Sequence, residues 1–212
     1  MSQQLSHNAQ AFDLNQSFDP GSYFLGLVQQ AARSTVPVQI SSEAMGEVLI
    51  DPVKQRYAAY VSDLKLFCCM PVRTLRMTPC HDCAIRAHDV ARDLDELLWV
   101  AAYYASGGRL LVDTSKFDVL ELNYWHNLSR LPATPNMMLL CALFGRRSHS
   151  ISLARKRLGV SEEEAYRFYS AALASGALRR VSTPTAAFKE EEPPEPMTLS
   201  KTLSHLWHRL VG

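Results

Sequence analysis

Three groups of side chains have types and spacings that could do chemistry. The first is basic: Arg146, Arg147, Arg155, Lys156, Arg157, Arg167, Arg179 and Arg180 fall within one stretch of the chain. Cations concentrated in this way can neutralise phosphates, and side chains on a nearby helix can read base edges. The second is Cys80-His81-Asp82-Cys83, a C-x2-C knuckle with Cys68-Cys69 upstream and His88 nearby. Zinc needs four soft ligands in a tetrahedron, and one knuckle supplies two. Cys80 and Cys83 lack a matching second knuckle, because adjacent cysteines in an extended segment point to opposite faces. A thioredoxin-type redox pair would need the knuckle to open a helix after a strand, and nothing else here supports that role. The third group is apolar: Leu199, Leu203, Leu206, Trp207 and Leu210 recur at helical spacing near the C-terminus. Lys201, His205, His208 and Arg209 fall mainly on the opposite side. A tethered helix of this kind suits a groove on a partner. No Gly-x-Ser-x-Gly elbow and no phosphate-loop glycine pattern occurs, and sequence alone assembles no catalytic triad. No catalytic residue and no cofactor is expected.

The elements that carry these groups follow from pattern. Ser161 and Glu164 form an S-x-x-E capping box, and Ala165, Phe168, Tyr169, Ala172 and Leu173 make one apolar helical face behind it. Gly176 supplies the left-handed stop. Ile151, Ala154 and Leu158 give the preceding helix a matching face, closed by Gly159. Thr134-Pro135 starts an apolar helix over Met137–Phe144, stopped by Gly145. The stretch from about 135 to 181 is therefore similar to the helix-turn-helix core of winged-helix domains. That resemblance implies the fold and leaves open whether DNA or protein is the partner. Two features weigh against base reading. The second helix begins Ser161-Glu162-Glu163-Glu164, so the end that would meet the duplex carries three carboxylates. The small residue expected four positions before the turn glycine is Arg155, so Ala154 must shift into that packing role.

Upstream, Asp19-Pro20-Gly21 is expected to start a helix that runs to about Arg33. Strands are expected at Val36–Ile40, Glu47–Ile50, Gln55–Tyr60 and Val72–Met77, with Asp51-Pro52-Val53-Lys54 as a turn. This helix, strand, strand, turn, strand order over about residues 20–62 resembles the PatA-like N-terminal scaffold modules of bacterial signalling proteins. Asp93 and Glu96 form a second capping box ahead of Leu94, Leu97, Leu98, Ala101 and Tyr104, and Gly107-Gly108 ends that helix. Val119–Trp125 alternates like a strand with one buried face.

The fold class expected is α+β: a small helix-plus-antiparallel-sheet module followed by a winged-helix-like helical domain, with a C-terminal linker and amphipathic helix. The divisions are a disordered terminus at 1–16, the helix-and-sheet module at 17–80 and a helical connector with one strand at 81–133. The winged-helix-like domain takes 134–181, an acidic proline-rich linker 182–196 and the docking helix 197–212. The 212 residues, a hydrophobic fraction of 47% and a charged fraction of 20% suit an ordinary soluble protein. The net charge of +1 decides nothing about nucleic acid, since charge acts locally. The first residues do not read as a secretory leader, no apolar run reaches about 18 residues, and five cysteines with one adjacent pair are not expected to form an oxidised framework. These features lead to the expectation of a cytoplasmic, non-enzymatic bacterial-type regulatory or adaptor protein. Its partners would be other proteins, with a DNA-binding transcription regulator as the alternative and a membrane surface disfavoured by the mainly neutral histidines.

Overall fold

A computed structural model of the chain describes residues 17–80, 85 and 90–181. The fold is mixed α and β, with an antiparallel five-stranded sheet, a smaller three-stranded sheet and six α-helices among the described residues.

The Asp19 carboxylate accepts the Gly21 N–H, but the turn it starts is only a 3-10 turn at Pro20–Ser22. Tyr23 is extended, and α1 (Phe24–Ala32) begins after it. The single helix expected from Asp19 is broken because tertiary bonds compete: the Phe24 N–H donates to the Met70 carbonyl and Tyr23 bridges to Pro71. Gly26 allows the close approach of turn and helix, since a Cβ there would stand 2.7 Å from the Pro20 carbonyl oxygen.

Strands β1 (Val38–Ser42), β2 (Gly46–Asp51) and β3 (Arg56–Val61) form the expected meander, with Ile40 opposite Val48 and Ile50 opposite Tyr57. The Asp51 carboxylate closes the β2–β3 turn by accepting the Lys54 N–H. A short α2 (Leu64–Cys68) follows, capped by the Asp63 side chain, which accepts from the Leu66 N–H. The strand expected at 72–77 is displaced. Val72–Thr74 is a 3-10 turn after Pro71, and β4 (Arg76–Pro79) pairs with β1. With β5 (Arg92–Asp93) on β3, the strand order is β4-β1-β2-β3-β5.

The central helix is α3 (Leu94–Ser106), which buries Leu97, Trp99, Val100, Ala101 and Ala102. Its expected capping box does not form. The Asp93 side chain makes no cap bond and instead accepts from Arg56 Nη1 at 2.9 Å. Glu96 is 5% exposed and accepts from Arg92 Nε at 2.8 Å. Downstream lie β6 (Val119–Leu122), α4 (Pro135–Arg146), β7 (His149–Ser150), α5 (Ile151–Leu158), α6 (Glu162–Ala174) and β8 (Leu178–Arg180). β6 is shorter than its alternation suggests, while α4 continues through Gly145 to Arg146. The small sheet has the order β7-β6-β8, both pairings antiparallel. The partner of β8 therefore comes from upstream of α4. The buried side chains form one continuous cluster, from Phe18 and Phe24 through Trp99 to Phe144, Phe168 and Leu178.

Candidate functional site

The two helices of the basic stretch are built much as their sequence directs. Ser150 Oγ accepts the Leu153 N–H at 3.2 Å and starts α5, and Gly159, at φ +67°, ends it. Ala154 is fully buried and takes the close-packing role, while Arg155 turns outward to Glu162 at 3.0 Å. Ser161 Oγ accepts the Glu164 N–H at 3.2 Å. The return half of that box is absent: the Glu164 carboxylate accepts from the Thr134 hydroxyl and, at 2.8 Å, from the Asn136 amide. Glu164 therefore ties the start of α6 to the start of α4.

α6 lies along α3 and is mostly covered. Ala165, Tyr166, Phe168, Tyr169, Ser170, Ala171 and Ala172 are buried. Phe168 meets the Trp99 ring edge-on at 6.0 Å and stacks on Phe144. The Tyr169 hydroxyl donates to Asp118, and burial beside that carboxylate pushes the phenol up to about 12. The approach to the end of α3 is close. Gly108, at φ +85°, has room for no side chain, since a Cβ would stand 2.3 Å from Glu163 Cγ and 3.1 Å from its Cα. Arg167 pairs with Glu163 at 2.7 Å and lies 5.7 Å over the Tyr103 ring. The three N-terminal carboxylates of α6 are thus all engaged within the protein.

The eight cations of the basic stretch divide into two sets. Arg155 and Arg167 are in the ion pairs just described. Arg146, Arg147, Lys156 and Arg157 are exposed. Lys156 and Arg157 occupy the last turn of α5, where positive charge complements the helix dipole. Half-buried His149 in β7 has its pKa lowered by burial and further by the positive charges of Arg157 and Arg147. Arg179 and Arg180 are drawn to β6 and its approach, pairing with Glu121 and, at 3.4 Å, with Asp118.

The structure also brings together residues that no spacing in the sequence connects. Ser175 Oγ lies 2.9 Å from His126 Nε2, and His126 Nδ1 lies 3.6 Å from Asp95 Oδ2. The order resembles a serine, histidine and aspartate relay, but the surroundings oppose acyl transfer. Ser175 is the C-cap of α6 and is 6% exposed. A helix C-terminus presents carbonyl oxygens, whereas a developing oxyanion needs N–H donors. The Tyr124 hydroxyl donates to the Ser175 carbonyl at 2.6 Å and stands 3.3 Å from Asp95, so the network caps α6 and fastens it to α3 and the segment after β6.

Burial lowers the His126 pKa despite the opposing pull of Asp95 and Glu96. The folded state therefore holds a neutral imidazole, and the unfolded chain takes up its proton at a higher pH. Stability rises with pH where the unfolded state binds more protons. It is expected to fall as pH drops below about 6.5 toward the folded value, with His149 adding in the same direction. Melting curves between pH 7.5 and 5.5 should show this decline in the intact protein and a shallower one in His126→Gln. An equal slope in the two proteins would refute the assignment.

Cys68, Cys69 and Cys141 are free thiols. Burial raises all three, Cys141 to about 11, which makes them poor nucleophiles. Cys80 is disulfide-bonded, which departs from the expectation of cysteines outside any oxidised framework, and Cys83 lies outside the described residues. Among the described residues no group of three or more histidine, cysteine or carboxylate side chains could hold a metal ion. No helix among them is long and apolar enough to cross a membrane. Leu199, Leu203, Leu206, Trp207 and Leu210, with the linker at 182–196 and the terminus at 1–16, also lie outside the described residues. No family model, no curated protein and no solved structure matches this chain.

Proposed function

We propose that this chain is a non-enzymatic regulatory or adaptor protein that acts through protein–protein contacts, with residues 197–212 as a tethered docking element. The observation that supports this most is the burial of α6. In a helix-turn-helix reader the second helix enters the major groove. Here it is packed on α3, and its leading carboxylates are held by Arg155, Arg167, Thr134 and Asn136. The order α4, β7, α5, α6, β8 supports the winged-helix resemblance, with β6 taking the place of a strand after β8. The run α1, β1, β2, β3 supports the likeness to PatA-like scaffold modules in the same way. The docking segment rests on its sequence pattern: Leu203, Leu206, Trp207 and Leu210 would bury in a partner's groove, with the proline-rich linker setting the reach.

A deletion of residues 197–212 is expected to leave the melting temperature of the body unchanged while abolishing partner capture in a pull-down. Undiminished capture would overturn the docking role. A transcription regulator remains the second reading because Arg146, Arg147, Lys156 and Arg157 are exposed cations with no ion pair among the described residues. It requires salt-dependent duplex binding that falls when Arg155, Lys156 and Arg157 are neutralised.

A further inference from the structure

We propose that the outward face of α4, with the basic rim at its C-terminal end, docks an acidic amphipathic helix of a partner protein. The inference rests on the protein-contact reading of this unit and adds a site separate from residues 197–212. The inner side of α4 buries Met137, Leu140, Cys141 and Phe144. The fold does not require the apolar residues opposite. Met138 is 59% exposed and Leu139 50% exposed, and Ala142 is exposed one turn on. At 100° per residue Met138, Leu139, Ala142, Gly145 and Arg146 fall on one side of the helix. Trp125, 55% exposed, extends that strip, with its Nε1 and Cζ2 each 3.7 Å from the Cβ position of Gly145. Single exposed apolar residues need no explanation, but several on one helix face with an adjoining tryptophan mark a contact surface.

The charges select the occupant. Residues 135–146 include no carboxylate, and Arg146 and Arg147 end the helix with no ion pair among the described residues. Lys156 and Arg157 add positive charge in the last turn of α5, the helix that follows β7. A second copy of this face would oppose arginine with arginine. A nucleic acid would leave Met138, Leu139 and Trp125 without apolar contact. An anionic membrane would meet the cations but offers no directional partner for the Trp125 indole at the side of the strip, and vesicle binding is therefore an outcome of the test. An acidic helix with an apolar stripe satisfies both features, in the helix-in-groove mode.

The test uses the full chain and a fluorescein-labelled 18-residue probe peptide. The peptide has leucines at i, i+3, i+4 and i+7 spacing and glutamates on its other face; a control replaces those glutamates with lysines. Anisotropy is expected to show saturable binding of the acidic peptide only. Affinity should fall about tenfold or more for Leu139→Asp and severalfold for Arg146→Glu, with both variants keeping the parent melting temperature. Absent binding, equal binding of both peptides, or insensitivity to Leu139→Asp would overturn the proposal. So would Leu139-dependent sedimentation with phosphatidylserine-containing vesicles, or Leu139-dependent dimerisation of the chain alone, either of which gives the face to another occupant. The deletion of residues 197–212 does not touch this face. Loss of capture on that deletion, with no peptide binding, would overturn this site and leave the wider protein-contact reading standing.

Discussion

Replacement of Trp99 by alanine is expected to lower the unfolding free energy by about 3–5 kcal/mol, the largest single core effect in the molecule. The indole is 1% exposed at the centre of α3. Its ring meets His126 edge-on at 5.2 Å and Phe168 at 6.0 Å, and its N–H donates to the Pro132 carbonyl at 3.4 Å. The substitution removes the apolar surface that α6 packs on and leaves a cavity beside His126. It also strands the Pro132 carbonyl. Relaxation is limited because helix backbone holds two sides of that cavity. For a chain of this length the melting temperature should drop by about 2–4 °C for each kcal/mol. Chemical denaturation of Trp99→Ala beside Trp125→Ala measures this, since Trp125 is exposed and its loss should cost no more than about 0.5 kcal/mol. Similar effects at the two positions would mean that α3 is not the centre of the core.

Arg92→Ala is the second large effect, expected at about 3 kcal/mol or more. Glu96 is 5% exposed, and its carboxylate receives Arg92 Nε at 2.8 Å and Arg130 Nη1 at 3.7 Å. Arg92 also donates to the Arg130 carbonyl at 2.7 Å. Removing Arg92 leaves a buried carboxylate with only the half-exposed Arg130 guanidinium at 3.7 Å, and most of the desolvation cost is then uncompensated. The double change Arg92→Met with Glu96→Leu removes both charges, so it should recover most of the lost stability. A double variant as unstable as Arg92→Ala would show that packing, and not the orphaned charge, sets the cost.

The parts of this fold governed by local chemistry were legible in the sequence. The meander of β1 to β3 follows from alternation and the Asp51 turn. The end of α5 follows from Gly159, and the start of α6 from Ser161. What was hidden depends mostly on contacts distant in sequence. Asp93 and Glu96 match a capping box, but Arg56, 37 residues earlier, draws Asp93 across the sheet, while the neighbouring Arg92 takes Glu96 as a local i,i+4 pair. Glu164 likewise leaves its box for Thr134 and Asn136, some 30 residues earlier in the chain. The helix expected from Asp19 is interrupted because Met70 and Pro71 claim the backbone at Tyr23 and Phe24. Ser175, His126 and Asp95 are separated by 49 and 31 positions, and no periodicity joins them. The carboxylates at the start of α6 were visible in the sequence, but not that Arg155, Arg167, Thr134 and Asn136 would hold them. The burial of its length on α3 could not be read there, because an apolar stripe does not say which helix covers it.

That burial underlies the central claim, that the α4–α6 unit contacts protein and does not read bases. A fluorescence titration of the full chain with a mixed-sequence DNA duplex at low salt, repeated with Arg167→Ala on α6 and with Arg155, Lys156 and Arg157 neutralised together, tests it directly. The account predicts no saturable complex, and for any residual association it predicts no sequence preference and no change on Arg167→Ala. Tight binding that discriminates between duplex sequences and is lost with Arg167 would contradict it.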